Sequence, residues 1–597
     1  MSEQTKRVYE FGAFRLDVAE GILLHRSQRV TLTQKEFATL QFLVENPGRL
    51  VTKEELMTRL WPEVCVEPAN LTQNIFVLRK ALRQHEPVEN FIETVAKRGY
   101  RFLSTVRGVK ADNAAGSGAA SESKVRTVDE GVRSLAVLPF ANGTDDPNAE
   151  YLSEGLSESI INSLSHLRNV RVMARTSVFR FNSTEVNPLE VGRELGVSLV
   201  LTGRILQLAN WLIVRVELAD VRTGWQIWGD QYQRKLSDVL EMQEEIAGSI
   251  SARLKERLTL EEKGRLSKRY TENAEAYQLY LKGRYHWGKF NLAGERKAVE
   301  YFLQAIEVDP TYALAYAGLA DSYYRAGNVY APTRDAMPKA RAAALKALEI
   351  DDSLTEAHSA AGLIKLCYEW DWLGAEDHFR KAIEINSNYA LAHQRLGLYF
   401  NLLGRFDEAK LELDTALTID PLSVHSYWGF ALYHFLVRDY ERALFELQRA
   451  LEMDGNYKPA LYLQGRTCEE LGDFEKAFAV YEKILNLEES SMFLAALGRA
   501  HARAGKKTVA QKVLKELEQQ SGQRYVSAYS RATIHLALGD KKQTFSLLER
   551  AYEDRCEMMT WLKIDPSFDV IRKDPRFVSL LRRVGLHDER EALPAAS

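Results

Sequence analysis

The sequence predicts a multidomain chain, α/β in its first half and all-α in its second. Three observations carry this. Up to residue 258, short apolar runs of strand length alternate with stretches of helical periodicity, the order of mixed domains. A Gly/Ser/Ala-rich stretch at 108–132 interrupts that alternation and reads as a flexible linker. From about residue 276 small residues recur every 34 positions, the mark of a repeat array. With 597 residues, 46% of them hydrophobic, three or more domains and several cores are expected.

In the first region, Thr33 followed three residues later by Glu36 is a capping box that opens a helix. A second helix ends at Leu60-Trp61-Pro62, and another opens near Pro68 and Ala69, where a proline missing its N–H is tolerated. Leu71, Ile75, Leu78 and Leu82 recur at helical spacing and form one buried face. The opposite face carries Ala69, Asn70, Thr72, Gln73, Phe76, Val77 and Lys80. Amides, a small hydroxyl and apolar tips suit a DNA major groove, where Asn and Gln bond adenine bidentately and apolar groups meet the thymine methyl. An extended pair follows and ends in Thr94-Val95-Ala96-Lys97-Arg98-Gly99-Tyr100-Arg101-Phe102.

Trp61, the frame Leu71/Ile75/Leu78-Arg79-Lys80-Ala81-Leu82 and the segment 94–102 together resemble the winged-helix DNA-binding domain of the OmpR/PhoB family, in the CadC-type arrangement with that domain at the N-terminus. The resemblance covers roughly residues 8–106. It implies that Phe11–Asp17 and the stretch up to Val30 form a small N-terminal sheet, and that 94–102 is the wing. It also implies that DNA is contacted by Asn70, Thr72, Gln73, Phe76, Val77, Arg79 and Lys80 on the helix and by Lys97, Arg98 and Arg101 on the wing.

The charge is distributed as that reading requires. The chain's net charge is −3, yet residues 68–107 carry seven Lys/Arg against three Asp/Glu, within a region 1–107 that carries 16 against 13. The excess is modest, so moderate affinity per monomer and paired sites are expected. The cysteines (Cys65, Cys367, Cys468, Cys556) show no CxxC spacing and read as reduced thiols. The N-terminal MSEQTKRVYE is not a signal peptide, and no run approaches a membrane-spanning length. A cytoplasmic protein without membrane contact is expected.

The middle region, 133–260, begins with the apolar strand SLAVLPF, followed by a helix over 149–165, a strand at 170–173, a short helix at Pro188–Leu195, two long strands joined at Ala209-Asn210, a strand over 225–233 and a helix over 238–258. The segments AVLPF and GRILQ through VRVELADVRTGWQIW resemble the N-terminal domain of TolB. Neither the Asn142–Asp146 loop nor Trp225 and Trp228 point to chemistry. They read as a polar turn and as packing or interface residues.

Over 270–590, Ala375, Ala409, Ala443 and Ala477 lie 34 residues apart, as do Ala382, Ala416 and Ala450. This is the tetratricopeptide (TPR) pattern. Eight units are expected over 276–558, capped by 561–586, stacked into an α-solenoid with an extended concave surface. In such arrays the first helix of each unit lines the groove. That places Gln394, Leu398 and Asn401, then Trp428, Leu432 and Phe435, then Tyr462 and Arg466 along it, an aromatic- and Arg-rich stretch fit for a protein or peptide partner.

No HExxH, GxSxG, Walker loop, dinucleotide fingerprint or Cys/His ligand spacing occurs, so no enzyme activity, metal or cofactor is expected. The sequence reads as a transcriptional regulator: the winged helix binds double-stranded DNA, and the repeats sense or recruit a protein; a homo-oligomer is a further expectation. The alternative is a TPR scaffold or adaptor whose winged helix contacts protein rather than specific DNA.

Overall fold

The computed structural model describes residues 7–587 apart from 19–21, 27, 31, 33, 61–70, 72–74, 76–77, 80–81, 83–90, 96–98, 105, 111–132, 145–149, 168–169, 182–185, 255–258, 260–263, 265–267, 290, 330–332 and 523–524. The chain divides into two compact units, Met1–Thr127 and Val128–Ser597. Each is described by itself.

In the first unit, β1 (Arg7–Phe11), β2 (Phe14–Asp17), β3 (Ile22–His25), β4 (Gln28–Val30) and β8 (Arg107–Lys110) form an antiparallel sheet in the order β4-β3-β2-β1-β8. Helices α1 (Gln34–Val44) and α2 (Lys53–Leu60) follow, and β5 (Leu50–Thr52), β7 (Gly99–Phe102) and β6 (Ile92–Val95) make a second, three-stranded sheet in the order β5-β7-β6. The expected capping box at Thr33 lies outside the described residues. A reciprocal one starts α2 instead: Thr52 N–H donates to Glu55 Oε2 at 2.7 Å and Glu55 N–H to Thr52 Oγ1 at 3.1 Å. Phe11, Phe14, Phe91 and Phe102 pack edge-on and stacked at centroid distances of 5.1–6.4 Å, with Leu40, Leu43 and Val51 beside them.

In the second unit, β9 (Arg133–Val137), β10 (Ala141–Asn142), β11 (Val170–Val172), β12 (Leu199–Leu208), β13 (Trp211–Asp220) and β14 (Gln226–Lys235) form a six-stranded sheet. β9 runs parallel to β11 and β12, while β12, β13 and β14 run antiparallel through two hairpins. Helices α3 (Glu150–Ser165), α4 (Arg175–Val178), α5 (Pro188–Glu194) and α6 (Val239–Leu254) complete this part. The expected elements are present among the described residues, and the short strand β10 and the short helix α4 are added to them. Along β13 the pattern is period two: Leu212, Val214, Val216 and Leu218 are buried, whereas Trp211, Arg215 and Glu217 face water.

Eight antiparallel helix pairs follow: α7 (Ala274–Trp287) with α8 (Leu292–Val308), α9 (Ala313–Val329) with α10 (Thr333–Ile350), α11 (Thr355–Ile364) with α12 (Trp372–Ile385), α13 (Ala390–Leu403) with α14 (Phe406–Ile419), α15 (Val424–Leu436) with α16 (Tyr440–Met453), α17 (Lys458–Leu471) with α18 (Phe474–Leu487), α19 (Ser491–Arg503) with α20 (Lys507–Gln520) and α21 (Ala528–Ala537) with α22 (Lys541–Glu553). The small residues act as expected. Ala375, Ala409, Ala443 and Ala477 are all 0% exposed. A Cβ at Gly465 would come within 2.5 Å of the Tyr481 ring, so only glycine lets α17 and α18 approach this closely.

The α/β part and the array belong to one compact unit. One hydrophobic core runs from Leu135, Val214 and Ile246 through Tyr277, Phe302 and Tyr312 to Ile364. Polar contacts reinforce it. Arg284 of α7 donates to Glu158 of α3, Tyr277 Oη donates to Ser159 Oγ at 2.8 Å, and Asn388 Nδ2 donates to the Ser165 carbonyl at 2.9 Å. The hydroxyls of Thr176 and Ser177 both donate to Asp420, a carboxylate only 3% exposed whose pKa burial pushes up.

Candidate nucleic-acid interface and the filled groove of the repeats

In the first unit, the described residues of the helix after residue 68 are its buried stripe and Arg79. Leu71, Ile75, Leu78 and Leu82 are at most 1% exposed and belong to the core of that unit. Two of the ten expected DNA-contacting residues, Arg79 and Arg101, are described. Asn70, Thr72, Gln73, Phe76, Val77, Lys80, Lys97 and Arg98 lie outside the described residues.

Arg79 is engaged within its own unit. Its Nε and Nη2 both donate to the Ile92 carbonyl, at 3.0 and 2.8 Å, and its guanidinium lies 5.9 Å from the Tyr100 ring. It directly follows buried Leu78, and this side chain turns inward to bolt the helix to the first strand of the wing. Arg101 is partly engaged as well, its Nη1 3.0 Å from Glu93 Oε2 across the β6–β7 pair. Gly99 sets the start of β7. A Cβ there would stand 2.0 Å from the Val51 carbonyl oxygen, so only glycine lets β7 approach β5.

The expected groove residues are largely engaged within the chain. Gln394, Asn401, Leu432, Phe435 and Arg466 are buried at 8% exposure or less, and Leu398, Trp428 and Tyr462 are half-buried. Gln394 Nε2 donates to Ser426 Oγ at 2.7 Å in the next unit. Trp428 lies 5.0 Å from the His425 ring, whose Nδ1 is 2.8 Å from Tyr457 Oη and whose pKa burial pushes down to about 4. Tyr462 packs between Tyr481 and Phe493 at 6.4 and 6.1 Å.

Part of the concave side is occupied by the chain's own C-terminal segment. Residues after α22, comprising two short 3-10 turns (Glu557–Trp561 and Pro566–Ile571) and α23 (Pro575–Val584), do not merely cap the stack. Ile564 and Trp561 share one hydrophobic cluster with Leu363, Tyr399, Leu432 and Phe435, first-helix residues of three successive units. Arg466 reaches Asp565 at 2.6 Å and stacks 5.3 Å from Phe435, while Tyr529 Oη donates to Asp565 at 2.9 Å. Arg438 reaches Asp569 at 3.1 Å. Tyr324 of α9 donates to Glu557 at 2.8 Å, and Trp372 Nε1 donates to the Val584 carbonyl at 2.7 Å. Trp370, in the left-handed region at φ 58°, packs against Tyr552 at 5.1 Å and under Arg555 at 4.3 Å. The Trp370–Trp372 turn is thus a packed turn, held from the far end of the array.

The sequence held one signal for this segment. Asp565-Pro566 and Asp574-Pro575 each place a capping Asp before a proline at the first helical position, and both caps form. Two short helices were legible there, but their destination was not.

Among the described residues, no group of three or more His, Cys, Asp or Glu is placed to hold a metal, and no helix is long and apolar enough to cross a membrane. Cys367, Cys468 and Cys556 are free and buried.

Comparison with known proteins gives four matches to family profiles. Residues 27–102 match "Transcriptional regulatory protein, C terminal", 131–248 match "HilA/YgeH-like transcriptional regulator, second domain", and 390–421 and 429–491 match the tetratricopeptide repeat. A protein of Rhizobium meliloti that carries an adenylate cyclase name is 32% identical over 234 residues, 38% of this chain and 40% of its own length. The transcriptional regulator HilA of Salmonella typhi is 24% identical over 421 residues, 70% of this chain and 71% of its own. The solved DNA-binding domain of Escherichia coli CadC is 24% identical, covers 18% of this chain and 99% of its own, and superposes with a TM-score of 0.17. The chain thus spans two fifths of the length of the first of these relatives and about seven tenths of the second. It carries an OmpR/PhoB-type domain of the transcriptional-regulatory class at its N-terminus, followed by the second domain of HilA-like regulators and a tetratricopeptide array.

Proposed function

We propose that the chain is a DNA-binding transcriptional regulator whose N-terminal unit reads the major groove of a duplex. The observation that carries this is the fully buried stripe Leu71-Ile75-Leu78-Leu82 together with Arg79, which fastens that helix to the wing. A helix so committed on one side keeps the other for a ligand. Asn70, Thr72, Gln73, Phe76 and Val77 are assigned to base edges and Lys80, Lys97 and Arg98 to phosphates, whereas Arg79 is assigned to the scaffold. The transcriptional-regulator relatives and the family match at 27–102 support DNA over the adaptor reading. No catalytic step is assigned.

The second unit is assigned to contacts with other proteins. With the concavity filled by residues 557–586, such contacts belong to its outer surfaces rather than to Trp428 and Tyr462. The test of the DNA reading is selection from random duplexes with the intact protein. A defined sequence motif is expected, and recovery of random sequence only would refute it.

A further inference from the structure

The repeat array is electrically split. Residues 268–490 carry 25 Lys/Arg against 34 Asp/Glu, whereas residues 491–586 carry 18 against 10. Most of the cations of the first part face carboxylates. In the last part Lys507, Lys512, Lys515, Lys541, Lys542 and Lys573 are exposed, and among the described residues none has a carboxylate within ion-pair distance.

At α20 their placement runs against helix stability. A helix N-terminus carries partial positive charge and favours acids in its first turn. The outer helices α14, α16 and α18 obey this with Asp407 and Glu408, Glu441, and Glu475. Helix α20 has no acid in its first turn and is preceded by Lys506 at its N-cap, so it starts with Lys506-Lys507; α22 follows its N-cap Asp540 with Lys541-Lys542. Lys507 and Lys541 are 34 residues apart, so the same edge of two successive units presents cations. Lys512 and Lys515 are exposed further along α20, and Lys573 is exposed directly before Asp574, the N-cap of α23, whose carboxyl is held below its usual value by Arg576 first and by Lys541 as well.

We infer that this cationic outer face of the last two units is a second nucleic-acid contact, binding the phosphate backbone of duplex DNA without reading its sequence. The inference rests on the DNA reading above. Phosphate binding needs spread, unpaired cations and no apolar anchor. The face fits: Val509 and Val570 are the only large hydrophobic residues exposed among the described residues of 491–586, and no aromatic is. A protein partner would instead call for aromatic or aliphatic anchors. The arrangement also answers the modest basic excess of the N-terminal unit, since one chain would grip a duplex at two places.

The test uses the full chain. Lys507→Glu/Lys541→Glu/Lys542→Glu is compared with wild type and with the wing variant Lys97→Ala/Arg98→Ala. Affinity is measured against a long duplex containing the selected site and against one without it, over a salt series. The triple variant should lose at least about tenfold on both duplexes, and its salt slope should shallow by about 2–3 units. Its melting temperature should stay level or rise, because acids replace cations at helix starts. The wing variant should weaken independently of it. Unchanged affinity and slope in the triple variant, with binding by wild type intact, overturn the second contact and leave the winged-helix reading standing. Absence of any duplex binding by wild type overturns that reading itself. Binding of wild type to phosphatidylserine vesicles that is lost in the triple variant, while its DNA affinity stays at wild-type level, would overturn DNA in favour of a membrane surface.

Discussion

Arg466 and Asp565, 99 residues apart in the chain, meet at 2.6 Å with side chains only 6% and 2% exposed. This pair ties the sixth unit to the segment that fills the groove. Burial alone would raise the carboxyl's pKa, but the Arg466 guanidinium outweighs it and holds Asp565 well below the usual carboxylate range. Removing one partner strands the other charge in the interior, so Arg466→Ala should cost about 3–5 kcal/mol. Replacing both with apolar residues, as in Arg466→Met/Asp565→Leu, should recover much of that. The sign with pH follows from the depressed value. The stabilisation is complete above the unfolded-chain carboxyl near pH ~4 and is lost as pH falls below it. Urea midpoints of wild type and both variants between neutral and acidic pH check this, and equal losses in the single and double variants would show that the pair is not the anchor.

Glu295 behaves in the opposite way. Its side chain is 3% exposed, and burial pushes its pKa up to about 7 although Arg325 Nε stands 2.9 Å away. A raised folded-state carboxyl means that the native state holds a proton the unfolded chain has released. Stability contributed by this group is therefore present below its unfolded value and is lost as pH rises towards 7. Glu295→Gln should flatten that decline, giving a higher melting temperature than wild type at pH 8 and little difference at pH 5. An identical pH dependence in the two proteins would remove Glu295 from the account.

Gly99 gives a prediction for the first unit. Gly99→Ala drives a Cβ against the Val51 carbonyl oxygen, with 2.0 Å available. The β5–β7 pairing should break locally, and the thermal transition of the first unit should fall by several degrees while that of the second unit stays put. Arg79→Ala should act in the same way, by freeing the Ile92 carbonyl. If Arg79→Ala instead left stability unchanged and shallowed the salt dependence of DNA binding by about one unit, its role would be phosphate contact.

Base readout is separable from both. Gln73→Ala should cost about 1–3 kcal/mol on the selected site and relax preference at one position. Footprinting or fluorescence titration against single-base variants of the site reads this directly, and a preserved specific-to-random ratio would take Gln73 off the base edges.

The sequence disclosed the fold to the extent that it is local. Periodicity at Leu71-Ile75-Leu78-Leu82, alternation along 211–220 and the 34-residue spacing of Ala375, Ala409 and Ala443 each encode an element together with its near neighbour, and those elements stand where expected. What could not be read was contact at long range. Arg79 and Lys80 are adjacent cations on a helix, and nothing local shows that Arg79 reaches the Ile92 carbonyl. Trp428, Phe435 and Arg466 have the composition of a binding hot spot because burying an aromatic against a guanidinium calls for the same residue types whether the partner is another protein or the chain's own tail. The destination of residues 557–586 depends on how eight units curve, which is a sum of small angles that no single unit carries.

That filled concavity fixes something else about the molecule. Repeat arrays ordinarily tolerate gain and loss of units, because each touches only its neighbours. Here Tyr324 of the second unit, Trp372 of the third, Arg438 of the fifth and Arg466 of the sixth all hold the same tail. Inserting or deleting one unit between Tyr324 and Trp561 would move the tail out of reach of some of them. The length of this array is thereby locked by its own end, and its helices should melt as one body rather than fray from the terminus.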